Sequence, residues 1–310
     1  MNAFATLYRS FNRHPRFAII NLGGLALGIA VFLILFLFVR FETGFDRALP
    51  GSDRIWIVQN TFQFGSAPPV ETPSRRDMLP LLISDFPKTE GARLFAGSVA
   101  VQNGRQAVEE RLAMVDPAYF DLFPLPVVAG SPARALDRPD GAVVTQTIAE
   151  RYLRPGDPIG QLLTVHYGEE RRLLRVAAVL RDLPGAMTHR NDIFVRLTPS
   201  TESHLSGFDG TVTFLRFPTE QAANARIASL PAFNARHPDP NLGGPSDTIK
   251  VTERFVPLSD LHLKESRDRL VVATLGLVGL IALILAIVNY VNLSTARADL
   301  RAREVALRKV

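Results

Sequence analysis

The residues of this 310-residue chain best suited to chemistry are six histidines and two pairs of adjacent glutamates; cysteine is absent. His14, His166, His189, His204, His237 and His262 could ligate a metal only if several shared one helix face or hairpin. None falls at His-x-x-x-His or His-Glu-x-x-His spacing. The nearest approach, His189 to Asp192, reads as a surface loop pair rather than a metal site. Glu109-Glu110 and Glu169-Glu170 fall in predicted hairpins, where neighbours point to opposite faces of a strand and cannot share acid–base work. Without cysteine there is neither a disulfide nor a thiolate nucleophile. A Gly-x-Ser-x-Gly elbow and a Gly-x-x-x-x-Gly-Lys-Ser/Thr phosphate loop are both missing from the sequence. The chain is therefore not expected to hydrolyse ATP itself, and no catalytic, cofactor-binding or metal-binding residue is assigned.

What the sequence does specify is two apolar runs. Phe17 to Val39 holds sixteen Leu, Ile, Val and Phe with Asn21 as its one strongly polar side chain, and Leu270 to Val288 holds thirteen Leu, Ile and Val. At ~1.5 Å of rise per residue they reach roughly 34 and 28 Å, against about 30 Å of hydrocarbon. Both are predicted to span a membrane. Of the twenty-two prolines only Pro15 lies outside residues 41–269, so the spans carry no helix breaker. A cleaved signal peptide is the rival reading of the first run, but its apolar stretch is too long and no Ala-x-Ala-like site follows Arg40. Gly24-x-x-x-Gly28 and Ala282-x-x-x-Ala286 put small residues on one helical stripe, where a second helix can approach, and Asn289 and Asn292 could hydrogen-bond across such an interface.

The net charge of +5 sits at the ends. Arg9, Arg13 and Arg16 precede the first span, and Arg297, Arg301, Arg303, Arg308 and Lys309 outnumber Asp299 and Glu304 after the second. With the excess beside the lipid, nucleic acid is excluded as the partner, and both termini are expected in the cytoplasm. The predicted organisation is a cytoplasmic amphipathic helix (1–16), a first span (17–39), an extracytoplasmic domain (40–269) with a possible small subdomain at about 199–246, a second span (270–293) and a cytoplasmic segment (294–310).

Within the middle region, β-branched and alternating stretches predict strands at 54–64, 92–101, 107–114, 142–145, 161–167, 172–180, 192–197, 211–217 and 248–256. Helical patterns fall at 74–85, with Ser74 as N-cap, and at 117–123, 146–153 and 219–229. The expected fold class is an α+β extracytoplasmic domain inserted between two transmembrane α-helices.

Several stretches carry a family resemblance. Asn21-Leu-Gly-Gly-Leu-Ala-Leu-Gly-Ile-Ala30, Phe45-Asp-Arg, Asp53-Arg-Ile, Val115-Asp-Pro-Ala-Tyr-Phe-Asp-Leu-Phe123, Gly156-Asp-Pro-Ile-Gly160, Val179-Leu-Arg-Asp-Leu-Pro184, Leu258-Ser-Asp-Leu-His-Leu263 and Arg303-Glu-Val-Ala-Leu-Arg-Lys-Val310 stand in the order and spacing of one family. The chain resembles ABC transporter permeases of the FtsX-like, macrolide-exporter type, and looks like their N-terminal half with its periplasmic core domain. The resemblance implies a bacterial inner-membrane subunit that couples ATP hydrolysis by a separate ATP-binding subunit to movement of the periplasmic domain for export or efflux. It also implies a second permease copy or a missing C-terminal half as partner, besides membrane lipids, and contact with the ATPase through Arg303, Glu304, Arg308 and Lys309. The competing reading is a two-span membrane sensor with a periplasmic ligand-binding domain. A sensor needs an output module after its second span, and the seventeen residues from Ser294 onward are too few for a kinase.

Overall fold

The computed structural model describes residues 15–167, 170–183, 185–198, 211–238, 249–263 and 266–307. The chain divides into two units, Met1–Gly44 with Leu263–Val310, and Phe45–His262. The first unit consists of two long helices, Pro15–Thr43 and Ser266–Leu307. Their stretches Leu22–Thr43 and Arg267–Asn292 are long and apolar enough to cross a membrane. Most of the expected 1–16 helix, and Arg308 and Lys309, lie outside the described residues. Arg303 and Glu304 lie on the last helix, which continues well past Asn292.

The second unit is a mixed α+β lobe around a sheet with eleven strands among the described residues. In chain order these are β1 (Ile55–Phe64), β2 (Val70–Pro73), β3 (Glu90–Asn103), β4 (Gln106–Val115), β5 (Val127–Gly130), β6 (Gly141–Thr145), β7 (Leu162–Tyr167), β8 (Glu170–Leu180), β9 (Ile193–Arg196), β10 (Thr211–Arg216) and β11 (Ile249–Pro257). The main path runs β11-β1-β10-β3-β4-β9-β6-β8-β5. Among the described residues, only β4 with β9 and β6 with β8 pair in parallel. Because β7 pairs with both β8 and β3, the pairings β3-β4-β9-β6-β8-β7 close on themselves as a ring of six strands. Alternate residues fill it: Val99 and Val101, Ala142 and Val144, Leu163 and Val165, Leu174 and Val176, Ile193 and Val195 are all buried in one cluster. Each Val, Leu or Ile so buried contributes ~1.5–3 kcal/mol of transfer free energy.

β1 is buried on both faces, so its alternation sorts residues between two cores rather than between core and solvent. Ile55 and Ile57 join the cluster holding Tyr119, Phe123, Phe194 and Phe214. Trp56 and Val58 pack beneath the helices Met78–Asp85 and Glu220–Arg236. The first of these helices starts later than expected because Ser74 is not its cap. Its hydroxyl instead donates 2.7 Å to Thr213 Oγ1 on β10. The second is capped by Thr219, whose Oγ1 accepts the Ala222 N–H, and runs through Pro231 to Arg236. β2 and β5, absent from the expectation, are short edge strands with little buried surface to leave a pattern. Of the stretch 199–246, residues 211–238 supply β10 and this sheet-covering helix; 199–210 and 239–246 lie outside the described residues.

Candidate functional site

In the helix pair, small residues meet in antiparallel register. A Cβ added to Gly28 would lie 2.7 Å from Ala286 Cβ and 3.3 Å from the Ala282 carbonyl, and one on Gly24 would lie 3.3 Å from Asn289 Nδ2. The same seam continues through two glycines that the sequence analysis did not single out. Gly279 faces Leu35 and Phe32, with its added Cβ 3.1 Å from Leu35 Cβ, and Gly276 faces Val39. Their signal was present as Gly276-x-x-Gly279-x-x-Ala282, a three-residue repeat that continues the Ala282–Ala286 stripe. Asn292 is exposed. Outside the seam, large apolar side chains such as Leu27, Ile34, Leu277 and Leu285 are exposed, as a lipid environment requires.

In the lobe, the first and last residues come together. The Phe45 ring stacks on the His262 imidazole with centroids 3.5 Å apart and planes 6° from parallel. Next to it Asp46 is buried, 1% exposed, at φ 57°, and no other non-glycine among the described residues has a positive φ. Three bonds to the segment between β8 and β9 hold it. The Asp46 N–H donates 3.0 Å to the Ala186 carbonyl, and its carboxylate accepts the Thr188 N–H at 3.0 Å and the Thr188 hydroxyl at 2.5 Å. Burial pushes the Asp46 carboxyl above the usual carboxylate range; the two bonds from Thr188 and the proximity of His262 work in the opposite direction. Burial, with a smaller push from the Asp46 charge, also raises the Tyr119 phenol. His189 lies on a turn of this segment but is half-buried: it packs edge-on against Phe214, and burial pushes its pKa down to about 4. Asp192 is held by Arg111 at 2.7 Å, which removes it as a partner.

Glu109 and Glu110 are spent on structure, and His14, Glu169 and His204 lie outside the described residues. Glu109 accepts from Ser98, while Glu110 accepts from Arg151 at 2.6 Å and from Tyr152, so the adjacent carboxylates diverge. Among the described residues, no group of three His, Asp or Glu could hold a metal ion.

Residues 18–230 match the family model of the MacB-like periplasmic core domain. Among solved structures, the chain is similar to a domain of a protein described as a permease from Porphyromonas gingivalis, at 18% identity and a TM-score of 0.56, covering 67% of this chain and 91% of that one. It is also similar to the extracellular domain of the ABC-type transporter YknZ from Gram-positive bacteria, at 13% identity and a TM-score of 0.42, over 63% of this chain and 99% of that one. A third similarity is to the periplasmic region of MacB from Actinobacillus actinomycetemcomitans, at 13% identity and a TM-score of 0.41, over 70% and 94%. No curated protein matches the sequence.

Proposed function

We propose a function from one premise: this chain belongs to the MacB-like periplasmic core domain family, whose members are ABC-transporter-type permeases. It acts as a membrane-spanning permease subunit that turns ATP hydrolysis by a separate ATP-binding subunit into movement of its lobe, driving export or efflux. The observation that carries this reading is the family match across residues 18–230, which takes in the apolar first helix and most of the lobe.

Two features support it. Neither apolar run carries a charged residue, so no polar pathway for a substrate runs between these two helices. The last helix runs unbroken past its apolar stretch to Leu307, so Arg303 and Glu304 ride on the same rod as Gly279 and Ala286. In this mechanism the ATPase closes on nucleotide and pushes on Arg303, Glu304, Arg308 and Lys309. The close-packed seam at Gly24, Gly28, Ala282, Ala286 and Asn289 makes the helix pair move as one, and the lobe repacks against a second permease copy or a C-terminal half. Both termini are cytoplasmic, in the bacterial inner membrane. Reversing the charges of Glu304, Arg308 and Lys309 should abolish co-purification with the cognate ATP-binding subunit while membrane insertion is retained. Unchanged co-purification would remove the assignment.

A further inference from the structure

Asp46 is the one non-glycine residue of the described lobe held in the left-handed region, and it sits beside the residue that stacks the lobe's first position on its last. A non-glycine residue in the left-handed region is strained, aspartate and asparagine less than the rest, and such strain persists where the surroundings over-determine it. Here the surroundings are identifiable: the Ala186 carbonyl and the Thr188 amide and hydroxyl, all from the segment joining β8 to β9. The same core cluster contains Met187 from that segment and Leu258 and Leu261 from the short helix that leads to His262. With the Thr188 bonds gone, only backbone bonds at 3.0 and 3.2 Å, from the Asp46 N–H to the Ala186 carbonyl and from the Leu49 N–H to the Asp46 carbonyl, hold Asp46 against relaxation to negative φ. That rotation reorients the peptide between Phe45 and Asp46 and carries the Phe45 ring off His262.

We propose that Asp46 and Thr188 form a strained latch, with a closed state in which Phe45 stacks on His262 and a released state in which Asp46 relaxes and the stack opens. The segment 185–192 thereby controls whether the lobe's first and last residues are joined. The latch rests on lobe geometry alone, so a failed ATPase pull-down leaves it standing, and its own failure leaves the permease reading standing. An ordinary turn would differ: its strain would be local, and removing the Thr188 hydroxyl would loosen only residues 185–192.

The test uses the whole chain in lipid nanodiscs. Trp56 is the only tryptophan, so Trp56→Phe with Phe45→Trp places a single indole on His262. Into this background go Thr188→Val, Thr188→Ser and Asp46→Asn. Asn tolerates the left-handed region and still accepts the Thr188 N–H. The expected result for Thr188→Val is a change in indole emission together with at least tenfold faster amide exchange in both 185–192 and 258–263. Thr188→Ser and Asp46→Asn should keep emission and exchange within about twofold of the background, which also shows that the indole is accommodated. Faster exchange confined to 185–192 with unchanged emission in Thr188→Val would overturn the latch. Loss of the stacked signal in Thr188→Ser would overturn it as well.

Discussion

Substituting Gly28 by alanine tests the helix seam at its tightest point. The new Cβ would stand 2.7 Å from Ala286 Cβ, whereas carbon atoms pack at ~3.5–4.0 Å, so the helices must separate locally by about 1 Å. A gap of that size forfeits roughly a quarter to a half of each dispersion contact, at ~0.1–0.2 kcal/mol per atom pair. Taken over some twenty pairs along the seam, the loss is ~0.5–2 kcal/mol. Alanine also favours the helix over glycine by about 0.5–1 kcal/mol, in the opposite direction. Gly23 separates the two effects, because a Cβ there meets nothing within 4 Å. Reversible unfolding of the whole chain in bicelles, followed by steric trapping of the helix pair, should show Gly28→Ala less stable than Gly23→Ala by ~0.5–2 kcal/mol. Adding Ala286→Gly to Gly28→Ala removes the 2.7 Å contact and should restore about 1 kcal/mol beyond the sum of the single effects. Strict additivity, or equal stability of Gly23→Ala and Gly28→Ala, would refute close packing at this seam.

Two further predictions concern the lobe. His189 has its folded pKa lowered to about 4 from 6.5, so between those values the unfolded chain binds more protons and stability rises with pH. Its contribution is complete above pH ~6.5 and is lost as pH falls toward about 4, up to ~3 kcal/mol in all; His189→Gln should flatten that limb of the stability–pH curve, and an unchanged slope would place the titrating group elsewhere. Asp116 accepts the Arg93 N–H and both ends of its guanidinium at 2.8–3.0 Å, with both side chains largely buried. Asp116→Ala removes the carboxylate that takes three of the Arg93 bonds and should cost about 3 kcal/mol in denaturant unfolding, whereas a loss under about 1 kcal/mol would mean that water or the remaining partners, among them the Arg76 carbonyl at 3.3 Å, compensate the guanidinium.

Some of the fold was legible because local composition carries it. The apolar runs give the two long helices by length alone, and β-branched alternation locates nine of the strands to within a few residues. β2 and β5 were not legible, since an edge strand of four residues buries too little to leave a period. The closure of the ring was hidden for a different reason. It depends on β3 meeting β7 at Ala100 with His166 and Val101 with Val165, a non-local pairing that no window of sequence displays. Ser74 shows how tertiary demand overrides a local signal. A serine ahead of a helical run reads as a cap, yet a buried threonine hydroxyl across the sheet takes its hydrogen bond. The candidate sites divide in the same way. The seam residues repeat at helical spacing and can be read from one segment, whereas Phe45 and His262 stand at opposite ends of the lobe and their stack exists only once the intervening chain has folded.

The stretches that carried the family resemblance also separate by the work they do. Val115 to Phe123 delivers Tyr119 and Phe123 into the aromatic core against Phe194 and Phe214, and Asp116 to Arg93. Asp182, in the Val179 to Pro184 stretch, accepts the Thr147 N–H and hydroxyl and so ties down the first turn of the helix Gln146–Tyr152. Gly156 and Gly160 take positive φ, and the Gly160 N–H donates to the Val176 carbonyl to close the turn before β7. Each of these jobs is a requirement of folding, which is why a motif match across this chain predicts architecture well and says nothing of what is transported. Phe45-Asp-Arg is different. Core packing does not demand a strained aspartate, because glycine would adopt φ 57° without penalty and an ordinary turn would join helix to strand. An aspartate there offsets its conformational cost with the two bonds from Thr188, the interaction on which the proposed latch depends.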